Sequence, residues 1–255
     1  MTKSTTEPAV HLDNATLSYG GDDVLHEISL SIMPGETKVI LGPSGVGKST
    51  ILKAILGILK PKVGRVRIFG EDITDLTERE LVRIRRRMAM VFQGGALFDS
   101  MSVGENVSFR LREFGMATGA EIEERVNEVL DFVGLRNAKK LNPAQLSGGM
   151  KKRVAIARGL APNPEIFLFD EPTAGLDPLN TYNIEQLVMR LKKTEKASIV
   201  IVTHDVKSAL LLADSIVMVH EGKFIFEGTP KDIQHEKDKR IRSFLDPENY
   251  FKLEN

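Results

Sequence analysis

Apolar and polar residues alternate imperfectly over Val10–Tyr19 and Ile28–Ile32, the pattern of half-buried strands, and Asp22-Asp23 after Gly20-Gly21 predicts the turn between them. Pro34-Gly35 predicts a second turn, after which Thr37–Leu41 is a short apolar strand running straight into a Gly-rich loop. A helix is predicted over Ser49–Leu59, with Ile51, Leu52, Ile55, Leu56 and Leu59 apolar and Pro61 ending it. Val66–Phe69 and Ala89–Phe92 read as further strands. Thr77 with Glu80, and Thr118 with Glu121, have the spacing of a capping box, in which hydroxyl and carboxylate each satisfy an unpaired N–H of a first helical turn. The second box starts a helix whose apolar positions, Ile122, Val126, Val129, Leu130 and Val133, share one face opposite the charges. Strand patterns return at Glu165–Phe169, Ser198–Val202, Ile216–Val219 and Lys223–Glu227, with a helix over Leu179–Lys193 between the first two. Thr229 and Pro230 are a cap and first position for a helix in the tail.

Strands alternating with helices predict an α/β fold, a parallel sheet with helices packed on it, and the early strands a separate antiparallel β piece. The stretch from Gly94 to Pro162 has helical period and little strand signal, so it reads as an inserted helical subdomain. The expected organisation is a disordered N-terminal lead (1–9), an α/β core (10–93 and 163–228), the helical subdomain (94–162) and a C-terminal tail (229–255). The tail ends as a charged segment that either meets a partner or stays disordered. At 255 residues and 42% hydrophobic, the chain is long enough for a sizeable core. Lys+Arg and Asp+Glu both count 35, so no global basic field draws it to nucleic acid. The run Arg83, Arg85, Arg86, Arg87 suits either nucleic acid or lipid headgroups, or a solvated helix face with ion pairs; the last is the expectation. With no Cys there is no disulfide framework or thiolate chemistry. No secretory signal is apparent, and the most apolar windows, Ile51–Leu59 and Leu210–Val219, are far short of a membrane span. A soluble chain is expected, with any spanning part supplied by other chains.

Three segments carry chemistry. Gly42-Pro43-Ser44-Gly45-Val46-Gly47-Lys48-Ser49-Thr50 matches G-x-x-x-x-G-K-[ST] between a buried strand and a helix. Its glycines let backbone N–H groups surround phosphate oxygens at a helix N-terminus. Lys48 suits the β- and γ-phosphates and Ser49 suits Mg²⁺. The apolar run Ile166–Phe169 ends in Asp170-Glu171, at the carboxyl end of a strand, where parallel sheets bind ligands. Asp170 can hold the metal there and Glu171 can act as general base on water. Leu146-Ser147-Gly148-Gly149-Met150 precedes a predicted helix, Lys151–Leu160, and offers a second set of N–H groups and a hydroxyl for phosphate.

In order, the chain carries Tyr19, the phosphate loop, Gln93, Leu146–Met150, Asp170-Glu171, Gly175-Leu176-Asp177 and His204. That order and spacing resemble the ATP-binding subunit of an ATP-binding-cassette (ABC) transporter, over about Val10 to Gly228. The resemblance implies a P-loop NTPase fold and ATP hydrolysis with Mg²⁺. Tyr19, which alone would be an ordinary strand aromatic, would stack on adenine. Gln93, alone a loop amide, would sense metal and γ-phosphate and link to a membrane partner. Ser147, Gly148 and Gly149 would meet the γ-phosphate bound by a second copy of the chain in an ATP-sandwich dimer. Asp177 would lie at the dimer seam, and His204 would contact the γ-phosphate. His11, His26, His220 and His235 have no such context. Ser49, Gln93 and Asp170 would serve the metal, and Lys48, Glu171 and His204 the reaction.

The family's signature turn usually ends in Gln, where this chain has Met150. With Gly94-Gly95-Ala96-Leu97-Phe98 after Gln93, and Asn106 within Ser102–Arg110, this version resembles the ATPases of Mla/Mce-type lipid transporters. That implies phospholipid transport through transmembrane permease subunits, an Mce-type lipid-binding subunit, a small accessory subunit, and a peripheral position on the cytoplasmic face of the bacterial inner membrane. The alternatives are an importer of amino acids or other small solutes, and a non-transport ABC ATPase of DNA repair or translation. Leu97, Phe98 and Met101 suit either a groove for a permease helix or buried core.

Overall fold

A computed structural model describes residues 7–246. Along the chain it has strands β1 (Val10–Tyr19), β2 (Asp22–Ile32) and β3 (Thr37–Leu41), helix α1 (Lys48–Ile55), strands β4 (Val63–Ile68) and β5 (Glu71–Asp72), helix α2 (Glu78–Arg85) and strand β6 (Met88–Val91). Helices α3 (Val103–Glu113), α4 (Gly119–Phe132) and α5 (Gly148–Leu160) follow. Strand β7 (Ile166–Asp170), helix α6 (Pro178–Thr194), strand β8 (Ser198–Thr203), helix α7 (Val206–Leu212), strands β9 (Ser215–His220) and β10 (Lys223–Gly228), and helices α8 (Pro230–His235) and α9 (Lys239–Leu245) complete it. The chain forms two compact units, one of residues up to Val82 together with those from Ser198 onward, the other of Arg83–Ala197.

The first unit holds the antiparallel piece, a four-stranded sheet ordered β2-β1-β4-β5. It also holds strands in the order β10-β9-β3-β8, with β3 parallel to both β8 and β9 and β10 antiparallel to β9. All of β3 and β8 is buried, including the apolar runs Val39–Leu41 and Ile199–Val202 and the polar Thr37, Lys38, Ser198 and Thr203 at the strand ends. Leu12, Ala15, Leu17 and Leu25 fill the core of the antiparallel piece. The turn between β1 and β2 is confined to Gly20-Gly21: Tyr19 pairs with Asp22 and Ser18 with Asp23, so Asp22-Asp23 belongs to the strand and not to the turn. Helix α1 stops at Ile55, short of Pro61, because Gly57 turns left-handed at φ 66° and Ile58 and Leu59 both donate back to Lys53 O. Ala9 is part of the fold and not of a free lead: it is buried, donates to Ile32 O at 2.8 Å and accepts from Phe69 N at 2.9 Å. The rest of the expected disordered lead, residues 1–6, and the charged end of the tail, 247–255, lie outside the described residues. The tail up to residue 246 is helical, with Thr229 and Asp232 forming the capping box of α8.

The second unit contains β6 and β7 as parallel neighbours, α6, and the helices of the 94–162 segment. These helices group with β6 and β7 because α5 lies directly on the strands, with Gly159 against the Phe167 ring. Phe167 and Phe169 stack with centroids 4.9 Å apart. Ile122, Val126, Val129, Leu130 and Val133 are all buried, as the helical period of α4 predicts. Thr118 and Glu121 form its capping box. Ser102 and Glu105 make an equivalent box for α3 that the hydrophobic pattern alone did not single out. In the arginine run, Arg87 pairs with Glu165 through bonds of 2.5 and 2.7 Å, and Arg86 lies 4.7 Å over the Phe114 ring. Among the described residues no helix is long and apolar enough to cross a membrane.

Candidate nucleotide site

The phosphate loop leaves the carboxyl end of β3. Leu41 is in register with Thr203 on the neighbouring parallel β8, and Gly42 N donates to Thr203 O at 3.3 Å. Gly42 and His204 therefore leave the same sheet edge from adjacent strands. A Cβ at Gly42 would sit 2.5 Å from Val219 O, so only glycine lets the loop start against β9. Gly47 caps α1 with φ 98°, a left-handed value suited to glycine, and no side chain occupies the cap. The first turn of α1 carries no acid, so its N–H groups and positive dipole end meet no side-chain anion of their own helix. Lys48 is buried, and its Nζ donates to Gly42 O at 2.9 Å and Pro43 O at 2.8 Å, which holds the ammonium inside the curve of the loop. Ser49 and Thr50 follow on α1. Tyr19, at the end of β1, is 59% exposed with Lys53 Nζ 4.3 Å from its ring centroid. His204 is exposed just beyond β8, followed by Asp205, which caps α7.

The second unit carries the other residues. Val91 pairs in register with Phe169, so Gln93, two residues past β6, and Asp170-Glu171, at the end of β7, emerge from neighbouring strand ends. Gln93 is exposed, Asp170 half-buried and Glu171 buried. Glu171 takes φ 48°, a left-handed value that costs a non-glycine residue about 1 kcal/mol and persists where the surroundings enforce it. Lys152 enforces it. Its buried Nζ donates to Ala174 O at 2.8 Å and to Glu171 O at 3.2 Å. Burial lowers the Lys152 pKa, and the Glu171 charge opposes that shift.

Ser147 caps α5, its Oγ accepting from Met150 N at 3.3 Å. Ser147 and Gly148 are exposed and the first turn has no acid, so the amino end of α5 can take a phosphate from outside the chain. Gly149 is pressed against Asn180, whose N–H donates to Asp177 at 3.0 Å. That bond holds the Asp177 carboxyl below its usual pKa. Ser147–Gly149 and Asp177 are thus neighbours through Asn180. Met150 lines a pocket of the helical segment with the apolar Leu135, Ala138 and Leu141 and the polar Asp131, Arg136 and Asn137.

The loop after Gln93 is fixed from two sides. Arg158 donates to Gly95 O at 2.8 Å and Ala96 O at 2.6 Å. Asn106, wholly buried, accepts from Phe98 N at 2.8 Å and donates to Phe98 O, Met101 O and Ser102 O at 3.0–3.1 Å. Leu97 and Met101 are half-buried and Phe98 is 41% exposed, so these three do not form buried core. Lys152 and Arg158 escaped the sequence reading. The available signal was a charge on the buried face of a helix, since Lys152 falls with Gly149, Ile156 and Gly159 at helical spacing.

The family model described as ABC transporter matches residues 25–174. The intermembrane phospholipid transport system ATP-binding protein MlaF of Haemophilus influenzae is 38% identical over 240 residues, 94% of this chain and 91% of that one. The probable ribonucleotide transport ATP-binding protein mkl of Mycobacterium leprae is 38% identical over 237 residues, 93% of this chain and 68% of that one. Among solved structures, the ATP-binding cassette MJ0796, dimeric in a post-hydrolysis state with ADP and Pi, superposes with a TM-score of 0.80 at 37% identity, covering 87% of this chain and 98% of that one. The matched span holds the phosphate loop, the capped Gly-rich turn and the acidic strand end, and the chain belongs to the ABC transporter family, as an ATP-binding subunit that hydrolyses ATP.

Proposed function

We propose that two copies of this chain sandwich two ATP molecules, each held by Gly42–Thr50 of one copy and Ser147–Gly149 of the other, and that closure of the pair drives phospholipid transport. The observation that carries the reading is the shared sheet edge from which Gly42 and His204 leave, with Lys48 Nζ held inside the loop. The loop Gly42–Gly47 wraps the phosphates, with Ser44, Gly45, Val46 and Gly47 offering backbone N–H groups while Gly42 and Pro43, which has no N–H, shape the turn, and Tyr19 stacks on adenine. Lys48 offsets charge developing on the γ-phosphate, and His204 contacts that group. Glu171 takes the proton of the attacking water. Asp177 lies at the seam between the copies.

Ser49, Gln93 and Asp170 are the residues that would hold Mg²⁺. Hydroxyl, amide and carboxylate oxygens are the hard donors this ion takes, and no group of three acidic or histidine side chains among the described residues competes as a protein-only cage. The ion would supply charge neutralisation between the β- and γ-phosphates. Residues 10–93 and 163–228 form the ATP-binding core in this reading, and 94–162 the helical subdomain that meets transmembrane permease subunits. Phe98, exposed on a loop pinned by Asn106 and Arg158, is one contact for a permease helix. An Mce-type lipid-binding subunit and a small accessory subunit complete the assembly, and the chain sits peripherally on the cytoplasmic face of a bacterial inner membrane.

The phospholipid cargo rests on the likeness to MlaF and on the Met150 and Gly94–Phe98 positions; the equal likeness to mkl favours a ribonucleotide as the second reading. Purifying the tagged chain from membranes, with mass analysis of its partners and bound lipid, separates them. A permease carrying phospholipid is expected. A complex whose ATPase responds to ribonucleotides, or one holding a soluble solute-binding protein and no phospholipid, overturns the lipid reading.

A further inference from the structure

We propose that Lys152 is a positioning residue that couples the two nucleotides of the dimer, tying the turn that meets one of them, Ser147–Gly149, to the backbone of Glu171, which acts on the other. The inference rests on the sandwich reading above. Lys152 lies on the same helix as the turn, less than two helical turns from Ser147, so displacement of the amino end of α5 carries its stem along. Its ammonium is buried and spends two donors on the carbonyls of Glu171 and Ala174, both on the turn that follows β7. Bonds from a charged donor are the stronger kind. Ala174 N also donates to Glu171 O at 3.2 Å, so one oxygen gathers both ends of the turn.

The geometry makes this bond matter for the carboxylate. Glu171 is held left-handed at φ 48°, and its own carbonyl is what Lys152 grips. Rotating that peptide plane re-aims the Glu171 side chain, and a base misplaced by about 1 Å costs about a hundredfold in rate. On the same helix, Gly149 is pressed against Asn180, which is bonded to Asp177. The amino end of α5 is therefore linked to the seam residue through Asn180, and to the backbone of the base through Lys152. A nucleotide arriving at Ser147–Gly149 from the second copy would shift α5 and, through Lys152, set Glu171 for the nucleotide on its own chain.

The test is steady-state ATP hydrolysis by the full chain over a range of MgATP concentrations, comparing wild type, Lys152→Met, Lys152→Arg and Glu171→Gln, with thermal melting to confirm folding. Lys152→Met keeps the stem and removes the donors. It is expected to lower kcat about ten- to a hundredfold with KM nearly unchanged, and to bring the Hill coefficient from above 1 toward 1. Lys152→Arg is expected to restore most of both. A merely structural Lys would lower the melting temperature without this split. If Lys152→Met does not fold, Lys152→Leu, which likewise lacks a donor, replaces it and must show the same split. A folded variant with wild-type kcat and Hill coefficient, or with a loss confined to KM, overturns the proposal. Full turnover by Glu171→Gln would instead overturn the assignment of Glu171 and this inference with it, whereas an inactive Glu171→Gln beside a normal Lys152→Met refutes the inference alone.

Discussion

Lys48→Ala is expected to lower ATP turnover by about a thousandfold, the scale on which removing one donor aimed at a developing negative charge acts. The Lys48 ammonium is buried and fixed by Gly42 O and Pro43 O, so its charge stands in the curve of the loop before a nucleotide enters. Alanine removes that charge and keeps the helix, since alanine favours α1 at least as well as lysine does. The remaining N–H groups of the loop still attract phosphate, so binding weakens less than hydrolysis. Turnover measured by phosphate release, with circular dichroism to verify the fold, decides it. A folded Lys48→Ala with near-normal turnover contradicts the assignment of the loop.

Glu171→Gln is expected to bind ATP, to hydrolyse it at least about a hundredfold more slowly, and to accumulate as a dimer. The amide has nearly the size of the carboxylate and needs no change at φ 48°, where the strain lies in the backbone and the clamp comes from Lys152 to the main-chain oxygen. What is lost is a basic oxygen to take the proton from water. With the reopening step blocked, the ATP-bound closed state gains population. Light scattering with and without MgATP reads the mass directly, and an ATP-loaded Glu171→Gln protein that stays monomeric counts against the sandwich.

The elements that could be read from sequence were those whose signal is local. Thr37–Leu41 is both the expected and the observed β3, because a short apolar run with a turn before it and a Gly-rich loop after it has one interpretation. The face of α4 was equally plain, since its burial follows a 3.6-residue period. Errors arose where a backbone conformation competed with a side-chain cue. Asp22-Asp23 looks like a turn, yet the two glycines before it close the hairpin in two residues. Pro61 looks like the stop of α1, yet Gly57 ends it first. The short helix α7, whose start Asp205 caps through Lys207 N and Ser208 N, carried too little periodicity to be noticed.

For the site, the residue types and their order were legible, and the supports were not. Nothing in Asp170-Glu171 signals that Glu171 is left-handed, and the charged donor on its carbonyl comes from Lys152, 19 residues earlier. Arg158 likewise grips carbonyls more than 60 residues away. Main-chain carbonyls carry no sequence signature, so side chains bonded to them at long range emerge only from the fold. Met150 is a related case. It departs from the family pattern in a turn facing solvent, while its side chain lines a pocket with Leu135 and Leu141.

That each nucleotide is completed by two chains is tested most directly by mixing two inactive variants. Lys48→Ala disables the phosphate loop. Gly148→Asp disables the second turn by setting a carboxylate against phosphate, and it should fold, because the nearest atom to a new Cβ there is Leu176 Cδ2 at 3.9 Å. In a mixed dimer the intact loop of one copy faces the intact turn of the other, so one complete site forms. Phosphate release from an equal mixture, each variant having been silent alone, is the expected result. A mixture as silent as its components contradicts sharing of the site between two chains.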